Sequence, residues 1–322
     1  MAYVQTVLGT IHPDEMGTTT MHEHVGFGVP GWEYDTKWWF DHIRRFEATE
    51  RDLRDFKLAG GNTFVDCSGI GLGRDAILFA NLAKASGVHI VASTGFWADE
   101  GILGHFRTKD VDYLTDIFVH EITKGMEHTT IKAGMIKLGI DSFGEKPTPL
   151  EEIEFRAGAR AAMRTGACIT THGITHAYWQ MELFKEERMD PTRVVIGHAD
   201  AKYAIDLERD KEMLRRGYYV GHDHIGFEDV WSPARYAMPD ERRVELLMHL
   251  IDAGFVDQLI IANDTSGYAL GWPTPIHPYA HLLRYYVPKL RQGGATEKHI
   301  ETLLVDNPRR VLPIQAAVPA HV

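Results

Sequence analysis

The sequence predicts an α/β fold closed into a (β/α)8 TIM barrel, and three observations carry that expectation. Short β-branched runs alternate with longer amphipathic stretches along the chain, the pattern of repeated βα units. Eight strand candidates occur, each after the first preceded by a helical stretch. The length of 322 residues suits such a barrel, which often runs past about 250 residues as one unit. No low-complexity linker, long charge block or short repeat divides the chain, so one barrel domain over 1–322 is expected, with a short N-terminal hairpin over about 1–17. A doubly wound open sheet is the alternative arrangement of the same units.

The elements follow in order. A hairpin is read from Tyr3 to Leu8 with its turn at Gly9-Thr10, and the first barrel strand is the extended run Thr18-Thr19-Thr20-Met21, ending at His22-Glu23-His24. Glu47 to Leu58 has helical period and leads to the strand Asn62 to Cys67; residues 74–86 lead to His89 through Ser93. Asp110 to Gly125, with Leu114, Ile117, Phe118 and Ile122 at helical spacing, leads to Gly134-Met135-Ile136-Lys137. Helix 149–164 leads to Cys168 through His172, and helix 176–187 to Val194 through His198. Helix 203–215 leads to Tyr218 through Gly221, helix 239–253 to Leu259 through Asp264, and closing helices end with one that starts at Asn307-Pro308-Arg309-Arg310.

Composition narrows the function. Hydrophobic residues make up 44% and charged residues 25%, which is ordinary for a globular chain with ample core material. A net charge of −11 without any basic run argues against a nucleic-acid partner. No stretch of about 18 apolar residues exists, and the N-terminus lacks a basic region followed by an apolar core, so no membrane partner and a cytoplasmic location are expected. The two cysteines, Cys67 and Cys168, each lie inside an apolar run and read as buried free thiols of a reducing compartment.

The chain holds eighteen histidines, and their placement carries the chemical argument. On a strand alternate residues share a face, so His22 and His24 point the same way, a natural ligand pair for a zinc-like cation. Taken alone, such a triplet is also compatible with ordinary surface or core histidines. In a parallel barrel, however, all C-terminal strand ends meet on one rim. His22 and His24 end the first strand, Lys137 the fourth, His172 the fifth, His198 the sixth and Asp264 the eighth. Six such residues on one rim without a cation would be costly and purposeless.

With these residues in place, the sequence resembles the phosphotriesterase family of the amidohydrolase superfamily. The resemblance rests on His22-Glu23-His24, Gly134-Met135-Ile136-Lys137, Thr171-His172, Gly197-His198-Ala199-Asp200, Gly221-His222-Asp223-His224 and Asn263-Asp264. Val65-Asp66-Cys67-Ser68 with Gly73-Arg74-Asp75, Thr94-Gly95-Phe96-Trp97 and Asn307 through Leu312 add to it. It implies a binuclear metal-dependent hydrolase with two divalent ions, zinc foremost, with cobalt, manganese or iron as alternatives. His22, His24 and Asp264 would hold the more buried ion and His172 and His198 the other. Lys137, carboxylated on its amine, would bridge two cations about 3.5–4 Å apart. A hydroxide shared by the ions would be the nucleophile, with Asp264 accepting its proton and His224 passing the proton outward.

The resemblance has two departures. The family's relay usually includes an acid three residues after the histidine ending strand six, where this chain has Ala201, with Asp200 one earlier. Its lactonases commonly carry a tyrosine where this chain has Trp97, as the organophosphate-hydrolysing members do. Tyr268, Leu270, Trp272, Pro273 and Pro275, together with Phe27, Phe96 and Trp97, are expected to build an apolar substrate entrance. The resulting expectation is a lactonase opening N-acyl-homoserine lactones in quorum quenching, with secondary organophosphate triesterase activity. The alternatives are a dedicated phosphotriesterase, another ester or amide hydrolase, and a catalytically silent ligand-binding barrel. A lactone or ester substrate and a homodimer are the expected partners.

Overall fold

The computed structural model describes residues 2–36, 42–140, 146–228, 237–265 and 277–315. An antiparallel hairpin of β1 (Val4–Thr6) and β2 (Gly9–Ile11) precedes β3 (Thr19–Glu23). The chain then alternates through α1 (His42–Leu58), β4 (Thr63–Asp66), α2 (Ala76–Ser86), β5 (His89–Gly95), α3 (Val111–Thr123), β6 (Met135–Gly139) and α4 (Pro149–Thr165). It continues through β7 (Ile169–His172), α5 (Ala177–Glu186), β8 (Val194–Ile196), α6 (Leu207–Arg215), β9 (Tyr219–His222), α7 (Asp240–Asp252) and β10 (Leu259–Ile261). Helices α8 (Val287–Gln292), α9 (Glu297–Glu301) and α10 (Asn307–Val311) follow.

The strands from β3 to β10 are hydrogen-bonded to their neighbours in chain order, all in parallel. A doubly wound sheet would reverse that order at a switch point, so the order selects the barrel. Closure is direct: Asp264 N donates to His22 O and His24 N to Thr265 O, each at 2.9 Å.

Strand alternation divides the core into two layers. Met21, Val65, Cys67, Val91, Met135, Cys168, Val195, Tyr219 and Ile260 fill the barrel interior. Val4 and Met16 from the hairpin region pack against this inner cluster with Val311 at the end of the closing helix and the next residue, Leu312, and Tyr3 forms a bridge with Ile314. A larger apolar layer lies between strands and helices, with Phe64, Ile90, Ile136, Ile196 and Val220 facing Phe56, Phe118, Phe155 and Leu247. Both cysteines are free and fully buried, and burial pushes the Cys168 thiol up to about 11. Among the described residues no helix is long and apolar enough to cross a membrane.

Local chemistry fixes the helix limits. Thr148 and Glu151 form a capping box at the start of α4, with Pro149 in its first turn. The expected helix 203–215 starts later, at Leu207, because the Asp206 carboxylate accepts the backbone N–H groups of Glu208 and Arg209 and so becomes the N-cap. β5 runs two residues beyond the expected Ser93, to Gly95. That glycine has φ +97°, and a Cβ there would stand 1.9 Å from Lys137 O, so only glycine admits the paired strand β6 at this point.

Glu23, between the two histidines of the first strand, closes the barrel with its side chain. Its carboxylate accepts from Asn263 N (2.9 Å), Asn263 Nδ2 (3.0 Å), Thr265 N (3.1 Å) and the Thr20 hydroxyl. Burial pushes its pKa up to about 8, with these donors pulling the other way. Glu23→Gln would turn an amide N–H₂ against one of these donors. Leaving a buried donor unsatisfied costs about 1–3 kcal/mol, so the variant should melt several degrees lower in a thermal scan. An unchanged melting temperature would remove the clasp from the account of closure.

Candidate metal centre

The rim residues converge as the strand order requires, but backbone irregularity does part of the aiming. The register between β3 and β4 shifts between Thr20 and Glu23, so three steps on β3 match two on β4. That bulge lets Met21 fill the interior while His22 still faces the mouth, 2.8 Å from Lys137 Nζ. His198 lies two residues beyond β8 with φ +64°, and Asp264 three beyond β10 with φ +49°. Left-handed backbone at non-glycine residues is uncommon and concentrates at functional sites.

The side chains form one continuous cluster. Asp264 Oδ1 lies 3.0 Å from His24 Nε2 and 3.6 Å from His22 Nε2, and Asp264 Oδ2 is 3.4 Å from His224 Nε2. His172 Nδ1 meets His198 Nε2 at 2.6 Å, and the His22 and His198 rings stand 4.9 Å apart. His22, His24, Lys137 and His198 are all buried, whereas the Asp264 side chain keeps 15% exposure at the mouth.

His24 and His198 have their outer nitrogens held by hydrogen bonds, and that of His22 lies against a carboxylate oxygen, which turns the other nitrogens inward. Ser68 Oγ donates to Gly26 O and therefore accepts from His24 Nδ1 at 3.1 Å, leaving Nε2 bare toward Asp264. Asp223 stands 3.0 Å from His22 Nδ1 through one oxygen and 2.7 Å from His198 Nδ1 through the other. An imidazole whose second nitrogen is hydrogen-bonded in this way is oriented as a metal ligand.

The electrostatics agree. Burial and the neighbouring Lys137 lower His22 to about 4, and burial holds His198 well below its ordinary value, so both imidazoles are neutral and able to ligate. Burial lowers Lys137 toward its neutral amine. Burial alone would raise Asp264, but its histidine neighbours, His224 first, outweigh it and hold the carboxyl well below its ordinary value. Three groupings bring ligand atoms within 4.8 Å of one another: His22, His24 and Asp264; His22, His198 and Asp223; His198, His224 and Asp264. Imidazole nitrogens with carboxylate oxygens form a donor set that fits divalent zinc, cobalt, manganese or iron.

Around this cluster stands an aromatic wall. The Phe27 ring contacts His24 (5.7 Å) and Trp97 (5.6 Å), and Trp97 contacts His172 (5.8 Å). Phe96 does not belong to it, a correction to the expected entrance: it is fully buried against Phe106 and Phe118 in the layer between strands and helices. Both residues follow the end of β5, where the left-handed Gly95 redirects the chain and Phe96 packs into the outer layer while Trp97 reaches the mouth. Tyr268, Trp272, Leu270, Pro273 and Pro275 lie outside the described residues.

Three contributors went unassigned in the sequence. Ser68, Asp223 and Glu23 all stand within quoted motifs, but spacing alone does not reveal which groups hold a ligand from behind. Asp200 was the uncertain relay member. Its oxygens accept from Asp223 N, His224 N and Arg243 Nε, so it anchors the loop after β9.

The comparisons agree with this geometry. A family model described as the phosphotriesterase family matches residues 2–312. A phosphotriesterase homology protein of Mycobacterium tuberculosis is 32% identical over 98% of this chain and 99% of its own length. The N-acetyltaurine hydrolase of Bos taurus is 29% identical over 96% of this chain and 97% of its own. A solved structure, described as organophosphate hydrolysis activity engineered from a weak promiscuous lactonase template, superposes with a TM-score of 0.87 at 30% identity, covering 96% of this chain and 99% of that one. A variant of the organophosphorus hydrolase from Deinococcus radiodurans gives 0.87 at 31% identity, covering 96% and 97%.

The contrast between neighbouring aromatics can be tested. Phe96→Ala should cost about 3–5 kcal/mol of stability and leave KM nearly unchanged. Trp97→Ala should leave the melting temperature nearly unchanged and shift KM for a bulky substrate by roughly tenfold, about 1.4 kcal/mol. The reverse pattern would exchange the two assignments.

Proposed function

The chain belongs to the phosphotriesterase family and is a metal-dependent hydrolase, and we propose that its main activity is the opening of N-acyl-homoserine lactones, with slower hydrolysis of organophosphate triesters. The observation that carries the reading is the buried Lys137, 2.8 Å from His22 inside a cluster of histidines and Asp264. Enzymes of this family use a binuclear metal centre. When bound, two divalent cations supply Lewis acidity and an activated water.

The protein's own groups divide the remaining work. His22, His24 and Asp264 would hold one ion, His172 and His198 the other. Lys137 would join the two groups of ligands if its amine took up carbon dioxide and released a proton to form a carbamate, an anion with two oxygens. Asp264 accepts the proton released on attack and passes it from Oδ2 to His224 Nε2 across 3.4 Å. Phe27 and Trp97 pack the apolar part of the substrate and exclude water beside the scissile bond. A phosphate triester mimics the tetrahedral intermediate of ester hydrolysis, which explains the secondary activity.

The lactonase reading draws support from the structural neighbour built on a lactonase template. Trp97, where the family's lactonases commonly carry tyrosine, pulls towards triesters. A second reading is amide hydrolysis, favoured by the likeness to N-acetyltaurine hydrolases. One panel separates them: lactones of graded acyl length, an aryl dialkyl phosphate and N-acetyltaurine, run with metal content measured. The proposal expects the highest kcat/KM on a lactone, and a clear preference for either other substrate would replace it.

Two sets of variants test the machinery. Lys137→Ala should abolish activity, and a short carboxylic acid should restore part of it by occupying the vacated bridge; wild-type rate and metal content would make Lys137 an ordinary lysine. Asp264→Asn keeps an oxygen but loses the base, so kcat should fall by about 10²–10⁴. His224→Asn should cost less, and least for an aryl leaving group that needs no proton. Equal losses on aryl ester and lactone would refute the relay.

A further inference from the structure

We infer that Asp223 couples the two halves of the metal centre, so that filling one half prepares the other. The inference rests on the binuclear reading above and goes beyond it.

One carboxylate serves both halves. Its Oδ2 stands 3.0 Å from Nδ1 of His22, assigned to the first ion. Its Oδ1 stands 2.7 Å from Nδ1 of His198, assigned to the second, and also accepts His198 N at 2.8 Å. Both oxygens belong to one short rigid plane, so a rotation that improves the hydrogen bond to His198 displaces the 3.0 Å contact with His22. The two imidazoles cannot be oriented independently.

The surroundings hold that plane in place. Asp223 is 1% exposed, and its backbone N–H donates to Asp200 Oδ1 at 2.9 Å. Asp200 is in turn held by the fully buried Arg243 guanidinium at 3.1 Å. The carboxylate fits between two glycines: a Cβ on Gly197 would stand 2.9 Å from Oδ2, and one on Gly221 2.7 Å from it. Neither glycine has a positive φ, so space accounts for them: the carboxylate is the nearest obstacle at Gly221, and at Gly197 it is second to Thr171 O at 2.6 Å.

Coupling follows from ordering. A cation on one imidazole draws electron density from the ring and strengthens that ring's Nδ1–H bond to Asp223. The carboxylate plane is then fixed, and with it the pose of the second imidazole. The second ion binds a ligand that is already oriented, which gives positive cooperativity without a change of fold. Asp223 is therefore a positioning residue for both ions. Ser68, which holds only His24, serves one.

Metal binding itself provides the test. Metal-free protein is titrated with zinc in competition with a chromophoric chelator, without substrate. Wild type should take up two ions along a curve steeper than independent sites would give. Asp223→Asn keeps one acceptor and turns an N–H₂ against the other histidine; it should weaken both ions by roughly 10–100-fold each and flatten the curve. Gly221→Ala keeps the acid but displaces the carboxylate, so it should weaken both ions too, and it serves as the test if Asp223→Asn does not fold. Ser68→Ala should weaken one ion only. The inference is overturned if Asp223→Asn or Gly221→Ala weakens a single ion, or leaves the steepness unchanged. Two independent ions in wild type would overturn the coupling and leave the binuclear reading standing; fewer than two would remove both.

Discussion

A histidine presents a lone pair to a cation in a fixed direction only when its other nitrogen is held, and most buried polar groups at this barrel mouth serve that requirement. Ser68 holds His24, and Asp223 holds His22 and His198. Behind them Asp200 holds the backbone of residues 223 and 224, and Arg243 holds Asp200, a pair with no exposed side-chain surface. A buried ion pair is a poor source of net stability, because desolvation offsets its attraction. Its value here is positional: breaking it would leave an unpaired charge directly behind the ligands.

The same mouth carries backbone strain. His198 and Asp264 adopt left-handed conformations, and each such residue costs of order 1–3 kcal/mol unless its surroundings over-determine it. The surroundings do. His198 N is bonded to Asp223, and Asp264 N to His22 O, so the bonds that fix the ligands also fix the strained backbone. Glu23 ties the loop after β10 to the first strand from the far side of the same residues. The centre and the seam that closes the barrel are one structure, so damage to either is felt by both.

Much of this was legible in the sequence. Runs with alternating and helical periods marked the barrel strands and the helices between them, since burial on two faces imposes those periods. The rim residues were legible because a parallel barrel brings strand C-termini together whatever the details. What escaped depended on contacts remote in sequence. The bulge at Met21-His22 leaves no compositional mark, since either register places apolar and polar residues acceptably. Phe96 and Trp97 look alike as aromatic neighbours, and only the end of β5 at Gly95 decides which one faces the mouth. Asp223 sits beside His224 in the chain, yet its partners are 201 and 25 residues away.

Asp200 bears on the open question of the proton relay. Its Oδ1 accepts from Asp223 N and His224 N, and its Oδ2 from Arg243 Nε and His224 N, so its four lone pairs are engaged by donors other than the His224 ring. Ala201, where the family's relay acid usually stands, has no side-chain acceptor. Burial works against a cation on His224, but the Asp264 hydrogen bond and the nearby Asp200 charge outweigh it and raise its pKa. Asp200 thus acts on His224 through its field rather than as the next acceptor. Under the proposed reading, a proton that reaches His224 is retained there, stabilised between two carboxylates and stacked against Phe227 at 4.8 Å. Retention suits a leaving group that must take the proton back. Under the lactonase proposal such a group is the alkoxide of an opened lactone, whereas an aryloxide leaves without needing the proton.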